Sequence, residues 1–274
     1  MDESFSVAAA LIPRIHTYAA LATFVNLMVY AVAGLAPTSS PAPVIWEMPF
    51  HMEPGMSDRA VAERVVDLLD LRLARPVHDF NISHDAAGRL TLDFYHANGR
   101  HRVTVLDRGQ RLRVIATRAG FAQYLSTLHV TTAAFHSGDW RLQVWPWYNE
   151  FAMWALVAML ATGAWMVAKR RGRPGMARRT HWIAAWTALP VLAIFAFTAV
   201  QMSHRGWWAP IAALNALHRA RGGWLAPLAS VQLMVLGATG FYLWFRSSAD
   251  RRTGAIVLAA GTLAAGGLIV SMRW

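Results

Sequence analysis

Five apolar runs and one long stretch of mixed polarity divide the chain. The runs Ile15 to Leu35, Phe151 to Ala168, Trp182 to Met202, Leu225 to Phe245 and Ala255 to Met272 contain no Asp, Glu, Lys or Arg. Each is close to the ~20 residues that a helix needs to cross ~30 Å of hydrocarbon, so five membrane spans are expected. The last is Ala- and Gly-rich, which suits close helix contact, and reads as an accessory helix. Between the first two runs the pattern changes. A Pro-rich linker, Pro37 to Pro43, leads to a stretch from Ser57 to Leu71 with helical periodicity behind an N-cap Ser or Asp. Two-residue alternation then predicts strands over Phe80 to His84, Arg89 to His96, Arg102 to Asp107 and Arg111 to Thr117, with turns at Asp85 to Gly88, Asn98-Gly99 and Arg108-Gly109. This segment reads as a helix followed by a small antiparallel sheet.

The runs repeat one another. Arg14-Ile15-His16 opens the first as Arg179-Thr180-His181 opens the third, and Ala161-Thr162-Gly163 near the end of the second matches Ala238-Thr239-Gly240 near the end of the fourth. Leu128-His129 precedes the second run and Leu217-His218 the fourth. Two copies of a helix pair are therefore expected, each helix carrying a His near one end. The copies are unequal: His129 lies 33 residues before Thr162, whereas His218 lies 21 before Thr239.

Composition agrees with a membrane protein, at 55% hydrophobic and 15% charged residues with positive mean hydropathy. The net charge of +11 does not indicate nucleic acid, because Lys169, Arg170, Arg171, Arg173, Arg178 and Arg179 cluster between runs two and three without an acid. That is the signature of a cytoplasmic loop. It puts the N-terminus inside, segment 36–147 outside, 203–224 outside and 246–252 inside. Arg205, Arg219 and Arg221 run against this orientation. Ala31-Val32-Ala33 resembles a signal-peptidase site, but Asp2 and Glu3 make a poor basic leader, so an uncleaved first span is expected. Trp140, Trp145, Trp147 and Tyr148, and Trp207, Trp208 and Trp224, read as interfacial belts. Pro190 is expected to kink the third span, its freed carbonyl finding a partner on a neighbouring helix. With no cysteine, disulfides, thiolate metal sites and covalent c-type haem are excluded.

Histidines in or beside spans are rare and usually functional, since an imidazole in hydrocarbon needs a partner. Two facing helices that each supply a neutral imidazole can hold a haem. On the topology above, His16 and His181 lie at the inner face and His129 and His218 at the outer, with His136 or His204 as outer substitutes. Ala20, Ala133, Ala185 and Gly222 lie one turn beyond these four, leaving room for a porphyrin, whereas His136 and His204 have Trp140 and Trp208 there. Thr162, Thr239, Gly163 and Gly240 are read as structural, the threonines bonding their own helix and the glycines easing packing. His84, His96 and His101 are expected to be solvated at hairpin ends, with a weak metal site as the alternative.

The His-bearing first span, the helix-plus-sheet segment, the Leu-His pairs, the paired Ala-Thr-Gly span ends and Gly222-Gly223-Trp224 resemble the PepSY-associated transmembrane helix family over nearly the whole chain. The resemblance implies a mostly α membrane protein: a four-helix transmembrane bundle from two repeats plus a fifth helix, with a small extracytoplasmic α+β (PepSY-like) domain. The expected divisions are 1–35, a first helix; 36–147, the extracytoplasmic domain and linkers; 148–252, helices two to four with the basic loop 169–181; and 253–274, the fifth helix. It further implies a bacterial inner-membrane protein carrying haem b, two haems by this count, bound through His16, His181, His129 and His218. The implied activity is reduction of ferric iron or a ferrisiderophore outside, with electrons from a cytoplasmic donor or quinol. No G-x-G-x-x-G fingerprint is present, so the donor is a separate molecule. A non-redox accessory or sensor protein in iron uptake, and a transporter, stay open as alternatives. For the topology, a reporter active only outside the cytoplasm is expected to be silent when fused after Arg173 and active after Asn98. The reverse pattern would exchange the inner and outer histidines.

Overall fold

The computed structural model describes residues 3–35, 42–73, 77–96, 98–131, 139–169, 175–204, 211–219, 223–247 and 251–273, with backbone alone for 3–10, 217 and 219. Two compact units emerge, Met1–Leu35 with Trp147–Ile269, and Ala36–Pro146 with Val270–Trp274.

The first unit is helical. It is built from α1 (Glu3–Ala22), α2 (Phe24–Leu35), most of α5 (Trp140–Ala168), α6 (Met176–Ser203), the short α7 (Ala212–Arg219), α8 (Leu225–Arg246) and α9 (Arg251–Ser271). Among the described residues α5, α6, α8 and α9 are each long and apolar enough to cross a membrane, and α1 with α2 makes a fifth if the pair is one span. That pair corrects the expectation of an unbroken first span: Leu11–Ala22 and Phe24–Leu35 meet at 61°. The hydroxyl of the buried Thr23 donates to the Ala19 carbonyl (2.7 Å), and the Tyr148 hydroxyl donates to Ala22 O (2.6 Å). Side chains entering the backbone ladder are a recognised cause of a bend, and here they also satisfy its carbonyls. Gly261 of α9 packs on the Ala22 carbonyl, where any side chain would collide. Pro190 lies inside α6, and the Gln232 amide of α8 donates to the Thr187 carbonyl three residues earlier (3.1 Å). Leu27, Leu156, Met159 and Ala196 form one apolar cluster of the bundle; Ala188, Leu192 and Ala229 form another.

Polar side chains join α2 to α5. Asn26 donates to Asn149 Oδ1 (2.9 Å), and the Tyr30 hydroxyl donates to the Asn149 carbonyl (3.2 Å). Both asparagines are buried, and where little water competes such bonds tie helices at about 0.6–2 kcal/mol each.

The second unit holds a five-stranded antiparallel sheet of order β1-β5-β4-β3-β2, formed by β1 (Val44–Pro49), β2 (Ile82–His84), β3 (Leu90–His96), β4 (Gly99–Leu106) and β5 (Arg111–Arg118). Helix α3 (Asp58–Leu68) starts where Ser57 accepts from the Ala60 amide, and packs Val61, Ala62 and Val65 against Leu92, Phe94, Val103 and Val114. Strand β1 and helix α4 (Phe121–His129) are additions to the expected elements, and Phe80 lies in the single turn Asp79–Asn81 instead of a strand. Trp145 is corrected too. It is fully buried, its indole donating to Leu128 O (2.9 Å), and Tyr148 bonds the bend of the first span, whereas Trp140, Trp147 and Trp224 are exposed as interfacial residues would be. Trp207 and Trp208 lie outside the described residues.

His96 and His101 are not the solvated pair expected. Both alternate onto the core-facing side of the sheet with Phe94 and Val103. Gly99 stands opposite His96 at φ +141, where a Cβ would run into the Thr117 carbonyl. Lacking a side chain there, the sheet lets His96 lean across until its Nε2 is 2.9 Å from Nδ1 of His101. Burial, and then the neighbouring His101, push the His96 imidazole down to about 4. The native state thus resists a proton that the unfolded chain binds near 6.5, so stability is full above 6.5 and falls as pH drops toward 4. In full-length protein, exchange protection of β3 and β4, corrected for intrinsic rate, is expected to weaken by about 2–3 kcal/mol across that window. His96→Gln should flatten most of this change; an unaltered profile in the variant would place its origin elsewhere.

Candidate functional site

Two threonines set the chemistry of the helical unit. Within a helix a Thr hydroxyl can donate to the carbonyl one turn back. Thr162 does so to Ala158 (2.6 Å) and Thr239 to Val235 (2.6 Å). A hydroxyl has one proton, so each oxygen is left as an acceptor only. Nδ1 of His16 lies 3.0 Å from Thr162 Oγ1, and Nδ1 of His181 lies 2.8 Å from Thr239 Oγ1. With the hydroxyl proton on the helix carbonyl, Nδ1–H is the donor in both contacts. A neutral imidazole carries one ring proton, so Nε2 is then the bare nitrogen of both rings. This arrangement, with one nitrogen anchored by a hydrogen bond and the other carrying the lone pair, is the state of a metal-ligating His.

The glycines after the threonines carry the rings. A Cβ on Gly163 would stand 3.3 Å from His16 Cε1, and one on Gly240 would stand 3.4 Å from His181 Cε1. The reading of all four residues as merely structural is therefore incomplete. They form two matching seats, one imidazole on each Thr-Gly. The recurrence of Ala-Thr-Gly was the available signal, but nothing local showed that it faced a histidine.

Both rings line one cavity of about 800 Å³. That is within the ~300–1,000 Å³ of pockets for cofactor-sized ligands. Ala20 and Ala185 line it, as their position one turn beyond the histidines suggested, with Phe24, Met28 and Phe241 among the apolar walls. Among the described residues no three of His, Cys, Asp and Glu gather as a metal site made by side chains alone. What the helical unit offers is a pair of imidazoles around an apolar space.

The other candidates are placed differently. His218 of α7 repeats the motif: its Nδ1 is 2.6 Å from Thr198 Oγ1, whose proton goes to Ile194 O (2.7 Å), and Phe195 packs on the ring at 4.8 Å. His204, the C-cap of α6, presents Nε2 to Glu150 Oε1 at 2.6 Å, and the same oxygen accepts from the Trp154 indole (2.7 Å). On His16, His181 and His218 the ring nitrogen that meets a hydroxyl is Nδ1, whereas here it is Nε2 that is engaged. Glu150 itself escaped the sequence reading, although an acid in an apolar helix was a visible anomaly. His129 ends α4 in the second unit, where burial pushes its imidazole down to about 4. His136 lies outside the described residues, as do Ala133, Gly222 and the basic residues 170, 171 and 173.

Comparison with family models, curated proteins and solved structures finds no match to this chain. The site is therefore read from its own geometry.

Thr162→Val keeps the side chain's shape and removes the acceptor. Leaving a partly buried N–H unpaired should cost about 1–3 kcal/mol and release the ring to the other tautomer. In protein purified without cofactor, imidazole ¹⁵N shifts are expected to show the proton on Nδ1 of His16 and His181 in wild type and in Thr162→Ser. His16 alone should become mixed in Thr162→Val. Protons on Nε2 in wild type would overturn the assignment.

Proposed function

We propose that this chain is a membrane electron-transfer protein that binds haem b and reduces ferric iron or a ferric chelate on the extracytoplasmic side. One observation carries the reading: His16 and His181, each with Nδ1 held against a Thr hydroxyl, share a cavity of about 800 Å³ in a unit of apolar helices. The residues fit the group on three counts. The donors are neutral nitrogens, the seats at Gly163 and Gly240 bring small residues against the rings, and the other walls are mainly apolar. Haem, when bound, supplies a one-electron ferric/ferrous couple whose potential depends on axial ligands and surrounding polarity.

The protein's own part is to position and exclude. Nε2 of His16 and of His181 would hold the haem iron. Thr162 and Thr239 would hold the rings against rotation, and hydrogen bonds of this kind typically contribute 10–100-fold to ligand affinity. Phe24, Met28 and Phe241 keep water from the space between. The resemblance to the PepSY-associated transmembrane helix family supports the same reading, and the second unit would be its extracytoplasmic domain. For the outer face, the Thr198–His218 pair supports His218 as a ligand. Inner and outer histidines on ~20-residue spans stand on the order of 30 Å apart, too far for one porphyrin, so two haems are proposed. Electrons would come from a cytoplasmic donor or quinol.

A non-redox accessory role is the second reading, favoured by the fact that each of His16, His181 and His218 already has a Thr partner. Spectra and stoichiometry separate the two. Protein from haem-replete cells is expected to show a Soret band, an alpha band that sharpens on reduction, and about two haems per chain by pyridine haemochrome. His16→Ala or His181→Ala should remove one haem and leave the other chemically reducible. No Soret band would support the accessory role. A ratio near one, abolished alike by His16→Ala and His218→Ala, would mean a single site.

A further inference from the structure

The imidazoles and apolar walls leave one feature of the cavity unexplained, two cations on its wall. Arg14 and Arg178 both line it, beside His16 and His181, and both residues are exposed, so they mark its solvent-facing margin. Among the described residues no Asp or Glu belongs to the lining. The sequence echo, Arg14-x-His16 against Arg179-x-His181, points to Arg179 as the counterpart of Arg14. The helix geometry selects its neighbour instead. Residues three apart share a helix face, and Arg178, three before His181 on α6, is the residue in the lining. On α1 the position three before His16 is Pro13, which lines the cavity, and the long apolar stem of the next residue lets Arg14 reach the same margin. An apolar space with two imidazoles and a guanidinium beside each suits a ligand whose apolar body ends in two anionic groups, because guanidinium pairs with carboxylate through parallel hydrogen bonds.

We infer that Arg14 and Arg178 bind the two carboxylate arms of an amphiphilic dianion held between His16 and His181. The inference rests on the haem reading above and extends it: the arms are the propionates, directed to the margin where Arg14 and Arg178 lie. The two arginines then select the free acid over a neutral ester. They also raise the reduction potential, since nearby positive charge disfavours the form with one more positive charge.

The test uses full-length protein purified from haem-deficient cells in a neutral detergent and titrated with haemin and with haemin dimethyl ester. Wild type is expected to bind haemin about tenfold more tightly than the ester. Because exposed pairs are individually weak, Arg14→Gln and Arg178→Gln should each lose about three- to fivefold of that preference, and the double variant nearly all of it. Comparing the ratio across variants cancels the ester's greater partition into detergent. Arg179→Gln removes the same charge one residue away and should keep the wild-type ratio. The midpoint potential should become more negative in the double variant and stay unchanged in Arg179→Gln. Equal affinity of wild type for both porphyrins, or an equal loss in Arg179→Gln and Arg178→Gln, would overturn the carboxylate assignment while the haem reading stands. Wild-type protein that binds neither porphyrin would sink the haem reading, and this inference with it.

Discussion

A threonine hydroxyl has one proton to give, and in three helices of this protein it goes to the carbonyl one turn back. That local bond has a distant consequence. It makes Thr162, Thr239 and Thr198 acceptors toward the rings, and so favours a proton on the ring nitrogen facing each of them. The tautomers of His16, His181 and His218 are thus biased by helix backbone chemistry. Gly163 and Gly240 hold the first two rings by contact, and the apolar walls follow from spans that carry few other polar groups.

The same accounting governs the helical unit as a whole. In an apolar bundle each backbone group freed by a bend or a proline needs a partner from another helix. Tyr148 supplies one to Ala22 where α1 and α2 meet, and Gln232 bonds the Thr187 carbonyl, next to the Trp186 carbonyl that Pro190 leaves without its helix donor. Asn26, Tyr30 and Asn149 tie α2 to α5, and Glu150 gathers His204 and Trp154 on a single oxygen. Asn26, Tyr30 and Gln232 stand out as polar within apolar runs, Asn149 and Glu150 lie just ahead of one, and each has a partner.

The sheet unit obeys different physics. Its core is formed by ordinary alternation, Leu92 and Phe94 on β3 against Val103 on β4, with α3 laid across. Water is near, so charge is tolerated on the open face, where Glu47 meets Arg111 and Arg113, and Asp93 meets Arg100 and Arg102. Exposed pairs of this kind contribute little each. His96 and His101 depart from that pattern because they lie on the core side, where protonation is resisted.

The sequence by itself determined the elements whose cause is local. Four of the five runs without charge became helices long enough to span and the first became a bent pair, period-two alternation became β2 to β5 within a few residues, and Ser57 capped α3. It also singled out His16 and His181 through their Arg-x-His echo, and Ala20 and Ala185 through their spacing. Only the tertiary structure decided what those residues face. His16 meets Thr162 across 146 positions and His181 meets Thr239 across 58, while Glu150 reaches His204 across 54. Such pairings depend on how one helix is rotated and raised against another. That is settled by packing at Gly261, Thr23 and the apolar clusters, and no periodicity within a single run encodes it. The choice of Arg178 over Arg179 at the cavity wall has the same origin: a repeat in sequence counts residues, whereas a cavity reads helix faces.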